Sequence, residues 1–127
     1  VNAFDHLGKQ RNVVVSTYRR DGSTVSTPVH VVVNGDHAYF RTWSTSGKAK
    51  RLRRDPHLEI APSRFFGKKT GPDVRAVARL LDGEEARTVA RLLADKYPLL
   101  QGRLVPLAHR LRKYDTVHYE LTESARP

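Results

Sequence analysis

The residues best placed to do chemistry lie in TWSTSGKAKRLRRDP, Thr42 to Pro56. There the hydroxyls of Thr42, Ser44, Thr45 and Ser46 run into Gly47 and a strongly basic segment. Five of the seven residues from Lys48 to Arg54 are basic. Ser46 suits the N-cap of a short helix, with Gly47 and Lys48 in its first turn and Asp55-Pro56 closing it. A helix start presents unpaired N–H groups and a partial positive charge, so it already favours an anion. Lys48 adds a full charge at that end and the hydroxyls add neutral donors, which is the chemistry of a phosphate cradle. Ala49 and Leu52 can pin one face, leaving Lys48, Lys50, Arg51, Arg53 and Arg54 around the rest. The competing reading is a solvated basic helix. Two features weigh against it. Cations at a helix start oppose the macrodipole unless an anion compensates, and the run follows a hydroxyl-rich strand end bearing Trp43, where a planar ligand could lie.

Other constellations carry less. No pair among the six histidines has metal-ligand spacing, and with no cysteines there are no thiolate ligands or thiol nucleophiles. Neither a G-x-S-x-G elbow nor a P-loop is present, so hydrolytic chemistry has no support. His30 and His37 alternate with apolar residues on strands and read as half-buried structural residues, with pocket lining as the alternative for His30. His109 and His118 are expected at the surface or rim. Trp43 and Tyr18 could stack on a ring or belong to a core, and Arg41 would share Trp43's cleft if it shares its face.

The chain has 127 residues, enough for one domain with its own core. Lys and Arg number 23 against 13 Asp and Glu, a net charge of +10 that attracts polyanions: nucleic acid, acidic membranes or a phosphorylated or carboxylated small molecule. At 39% hydrophobic residues with periodic segments, disorder is not expected. There is no secretory signal pattern and no apolar run of membrane-spanning length, and the absence of cysteine fits a cytoplasmic protein.

Around the basic helix, β-branched runs predict strands at Asn12–Arg20, Thr24–Val33 and His37–Trp43, joined by turns at Asp21-Gly22 and Asn34-Gly35-Asp36 into an antiparallel meander. Pro28 lacks an N–H and belongs at an edge, bulge or corner. Further strands are expected at His57–Phe65, Pro72–Leu81 and Asp115–Thr122, with a short helical turn at Phe4 to Leu7. Asp82, with Glu85 closing a reciprocal capping box, begins a helix whose apolar stripe is Ala86, Val89, Ala90, Leu93 and Tyr97, ending at Pro98. RLVPLAHRLRK repeats that pattern and is expected to pack on the barrel. The fold class is mainly β: a small antiparallel barrel with helices at its rim.

The stretch from Thr17 to Ser63 resembles the core of the pyridoxamine-phosphate-oxidase-like split barrels, and within them the actinobacterial branch that uses the deazaflavin coenzyme F-420. The DG hairpin, TPV on the return strand, GKAKRLRRDP and the following AP occur in that order. The resemblance implies a single split-barrel domain over residues 1–127 and a homodimer with a cofactor cleft between two barrels. It also implies a phosphate held by the segment matching Thr42 to Arg51, Lys48 and Lys50 standing at the matching lysines, and a ring lying along Ser26 to Val29. Where flavin oxidases generally carry Arg-Lys beside the phosphate, this chain has Gly47-Lys48, which favours F-420 and leaves FMN as the alternative.

The expected function is an oxidoreductase moving a hydride between the deazaflavin and a small conjugated substrate, with no side chain required as acid or base. The cofactor-binding set is Thr27, Pro28, Val29, Thr42, Trp43, Ser44, Ser46, Gly47, Lys48, Lys50 and Arg51, with Arg53, Arg54, Lys68 and Lys69 widening the positive field. A basic barrel for single-stranded nucleic acid is the alternative of another class. It is weakened by an 8% aromatic content and by basic residues that cluster on a helix.

Overall fold

The computed structural model describes residues 4–64, 68–97 and 116–124. Strands β1 (Val13–Tyr18) and β2 (Thr24–Val29) form the first hairpin, pairing Val13 with Val29 and Tyr18 with Thr24. Its turn needs Gly22, whose φ of +87° is a conformation other residues adopt at a cost. Asp21 accepts bonds from the backbone N–H and the hydroxyl of Ser23 at 2.9 and 2.7 Å, fixing the same turn.

The strand expected over Thr24–Val33 is two strands. β2 ends at Val29, and β3 (Val31–Asn34) resumes after His30 with a different partner, β4 (His37–Trp43). The sheet order is β2-β1-β5-β6-β7-β4-β3, so His30 carries the chain from one edge strand to the other. The expected three-strand meander is therefore two separate hairpins. Pro28 sits on edge strand β2, where its missing N–H breaks no ladder. After β4 come helix α1 (Gly47–Arg54), β5 (His57–Pro62), β6 (Val74–Leu81), helix α2 (Gly83–Lys96) and β7 (Thr116–Glu123). β6 starts two residues after Pro72, which has no N–H to give.

Alternation along the strands sends one face inward. Val13, Val15, Val29, Val31, Phe40, Leu58, Ile60, Tyr119 and Leu121 are buried together, joined by Phe4 and Leu7 from the N-terminal 3-10 turn and by Leu52 from α1. Phe40 and Tyr119 are cross-strand partners with ring centroids 5.2 Å apart. β2 and β4, far apart in sheet order, also touch, so the sheet curls on itself. Burying these side chains is the main stabilising term, each aliphatic contributing roughly 1.5–3 kcal/mol.

Helix α2 packs on the other face of the sheet. Val89, Leu93 and Tyr97 bury against Leu81, with Val32, Tyr39 and Ala86 beside them. Its expected capping box does not form. Asp82 makes no side-chain cap bond, and Glu85 turns instead to Arg79, 2.7 Å away. The far end is tied to the crossover: the His30 ring stacks on Tyr97 at 4.0 Å, and Lys96 donates to the Val31 carbonyl at 2.7 Å. The helix expected within residues 103–113 and the stop at Pro98 lie outside the described residues, as do Phe65 and His109.

Candidate anion-binding site

Helix α1 begins as its sequence demands. Ser46 is extended (φ −68°, ψ 154°), and its Oγ accepts the Ala49 N–H at 3.0 Å, satisfying one of the orphan donors of the first turn. Thr42 Oγ1 lies 3.2 Å from Ser46 Oγ, linking the end of β4 to the cap. Ala49 and Leu52 are buried, which fixes the helix's rotation and aims its cations away from the core. Arg51 folds back across the helix start. Its Nε donates to Thr17 Oγ1 at 2.6 Å, and a Cβ on Gly47 would come within 2.8 Å of its Nη1.

Lys48 is only partly exposed, and burial, reinforced by the nearby Arg51 charge, pushes its ammonium down to about 8. Among the described residues no salt bridge engages Lys48, Lys50, Arg51, Arg53 or Arg54, whereas Lys69, Arg79 and Arg87 each have a carboxylate within 3 Å. The basic residues of α1 are thus held together with no carboxylate in salt-bridge contact among the described residues, Asp55 acting on Arg54 only at longer range. Mutual repulsion of this kind costs stability and is relieved by an external anion.

A cleft of about 330 Å³ opens beside the helix, lined by Arg19, Arg20, Lys50, Arg51 and Arg54. Arg19 and Arg20 come from the end of the β1–β2 hairpin and were not among the residues expected from sequence, although the RR pair of YRRDG was the available signal. Arg54 Nη2 donates to the Tyr18 carbonyl and ties helix to hairpin, while Arg53 bonds the Ser44 carbonyl at 3.3 Å. Lys68 and Lys69 do not line this cleft, and Lys69 is paired with Asp73 at 2.9 Å.

The remaining expected residues divide by strand parity. Thr27 and Val29 pair with Val15 and Val13 on the inward face, as does Thr17 with Val25. Thr27 Oγ1 is buried with no hydrogen-bond partner among the described residues, a polar atom suited to an external group. Pro28 is exposed on the opposite face. Thr42 follows the inward parity of Phe40, but Trp43 points the other way, with Arg41 and His118. The structure therefore separates Trp43 from the Thr42–Ser46 pair, while Arg41 does share Trp43's face.

His118, expected at the surface or rim, is buried: it faces Arg41 across the strand pair and Leu81 on its other side. Burial, and then the Arg41 charge, push its pKa down to about 4. His30 lies at the strand break and serves the α2 contact. His37 sits half-buried, 3.8 Å from Glu120. Burial, followed by the neighbouring Glu59 carboxylate, raises the Tyr18 phenol above its ordinary range. Among the described residues no cluster of His, Cys, Asp or Glu could hold a metal, and no helix is long and apolar enough to cross a membrane.

No family model matches the chain, and no curated protein matches it. Solved structures do. HutZ, the heme storage protein from Vibrio cholerae, aligns at TM-score 0.71 and 14% identity, over 93% of this chain and 84% of that one. A Listeria innocua protein provisionally named a pyridoxamine 5′-phosphate oxidase aligns at TM-score 0.64 and 15% identity, over 93% and 87%. An F-420 reductase aligns at TM-score 0.64 and 14% identity, over 97% and 94%. At these identities the likeness is one of fold: the curled antiparallel sheet with its helices is a split β-barrel.

Proposed function

We propose that this chain is an oxidoreductase of the pyridoxamine-phosphate-oxidase-like group, using a phosphate-bearing flavin-type coenzyme, with the deazaflavin F-420 as first choice and FMN as the alternative. The observation that carries this reading is the set of cations on α1 and the adjoining hairpin that, among the described residues, have no carboxylate within salt-bridge distance, grouped beside a capped helix start. The likeness to an F-420 reductase supports it at the level of fold.

When bound, such a coenzyme supplies the hydride chemistry. The chain's own residues would bind and orient. Lys48 and the first-turn N–H groups would hold the phosphate, with Thr42 and Ser46 hydroxyls and Gly47 beside them. Arg51, already braced on Thr17, would add charge from the cleft side. Lys50, Arg54, Arg19 and Arg20 would attract a carboxylate-rich tail, which F-420 has and FMN lacks. Thr27 Oγ1 is suited to the polar edge of the ring, with Val29 against its face and Pro28 shaping the strand edge. No acid or base is assigned. A small conjugated substrate would lie against the ring, and a second copy of the chain would complete the cleft in a homodimer.

Titrations of the intact chain with F-420, FMN, heme and a random oligonucleotide, each at low and high salt, test the assignment. F-420 should bind tightest, and Lys48→Ala should weaken it at least tenfold. Equal binding of F-420 and FMN, with Lys48→Ala affecting neither, would overturn the coenzyme. Sedimentation showing only monomer at micromolar concentration would overturn the shared cleft.

A further inference from the structure

Lys48 and Arg51 stand three residues apart on α1, so their side chains share one face of the helix. Arg51 is held in place there. Its Nε donates to Thr17 Oγ1 at 2.6 Å, and its Nη1 lies against Gly47, the residue that precedes Lys48. Among the described residues no hydrogen-bond acceptor engages Nη1 or Nη2, and no carboxylate reaches Lys48 or Arg51 at salt-bridge distance. Lys48 is half-buried, whereas Lys50, two residues on, is exposed. An amine in these surroundings is disfavoured as the ammonium, first by lost hydration and then by the Arg51 charge, which bring its pKa down to about 8. Roughly one Lys48 in five is then neutral at pH 7.4, against about one in a thousand for an ordinary lysine.

The coenzyme reading uses Lys48 only as a cation. The same surroundings favour it as a nucleophile whose product is an anion. A guanidinium with both Nη groups still able to donate matches a planar carboxylate, and the helix start adds partial positive charge. We infer that Lys48 is a reversible carbamylation site, its amine taking up carbon dioxide and its carbamate being held by Arg51. The Nζ lone pair bonds the carbon, one C–O π pair moves onto oxygen, and one amine proton leaves to solvent. Thus –NH2 and CO2 give –NH–COO⁻ and H⁺, and nothing is oxidised or reduced. Repulsion between Lys48 and Arg51 becomes attraction. The carbamate also puts a negative charge where the coenzyme phosphate is expected, so bicarbonate should oppose coenzyme binding. The modification itself is measured without coenzyme, and the two readings fail separately.

The intact chain is equilibrated with carbon-13-labelled bicarbonate near pH 7.5. Carbamate is observed by carbon NMR, then trapped with triethyloxonium and located by peptide mass spectrometry. Lys48 should carry at least tenfold more adduct than Lys9 or Lys50. Lys48→Arg should remove that carbamate's NMR signal while keeping a charge at the helix start, and Lys9→Arg should leave it intact. Arg51→Gln should lower occupancy several-fold, even though it takes a repelling charge away from the amine. No adduct at Lys48, adduct spread evenly over the lysines, or occupancy undiminished in Arg51→Gln would each overturn the proposal.

Discussion

Arg51 reaches back from the second turn of α1 to Thr17 on β1, 2.6 Å from Nε to Oγ1, and in doing so lies against Gly47. A residue that counts in the sequence as one more surface cation is thereby a brace between helix and sheet. It also holds a charge beside Lys48 at the helix start.

Gly47→Ala tests the brace. The added methyl would press on Arg51 Nη1 at 2.8 Å, the movable end of a long side chain, so the fold should survive with a stability change below about 1 kcal/mol. Arg51 should leave Thr17. Thermal melts should be nearly unchanged while coenzyme affinity falls several-fold; a large loss of stability with affinity intact would contradict this.

Lys48→Met should stabilise the ligand-free protein at neutral pH while abolishing tight coenzyme binding. The folded Lys48 pKa of about 8 lies below the ordinary 10.5, so the unfolded chain binds more protons between those values. Wild-type stability should accordingly rise with pH across that window, the penalty being fully present below it. The variant should gain about 1–2 kcal/mol at pH 7, with the gain shrinking towards pH 10.5. Denaturant melts of both proteins at the two pH values measure the difference.

Arg19→Ala combined with Arg20→Ala should weaken F-420 binding far more than FMN binding, because only F-420 carries the carboxylate tail. The loss should be about ten-fold at low salt and small near 1 M, where the screening length is about 3 Å. Affinity measured against salt for both coenzymes decides it, and a salt-independent loss would mean that the hairpin had been damaged instead.

His118 predicts an acid limb in stability. Its folded pKa of about 4 lies below the ordinary 6.5, so the folded state resists protonation and stability is lost as pH falls from 6.5 towards 4. Between pH 7 and pH 5 the wild type should lose about 1–2 kcal/mol that His118→Leu does not. Urea melts at the two pH values provide the check.

Much of this protein was legible without coordinates because the signals are local. Gly22 and Gly35 sit where positive φ is needed, at +87° and +67°, Ser46 caps the next turn, and β-branched runs become strands. The capping box at Asp82 fails for a reason outside its own segment: Glu85 finds Arg79, on the preceding strand, a better partner than its own helix start.

What the sequence alone determined, then, is a barrel of short strands, the capped basic helix and the excess of positive charge, since each follows from residues a few positions apart. Three things were left to the tertiary structure: that His30 divides one β-branched run between opposite sheet edges, that Arg19 and Arg20 join α1 in one cleft, and that Trp43 faces away from Thr42. The reason is geometric. Side-chain direction in a strand reverses at every residue, and which edges meet depends on pairing across the whole chain, which no short window of sequence contains.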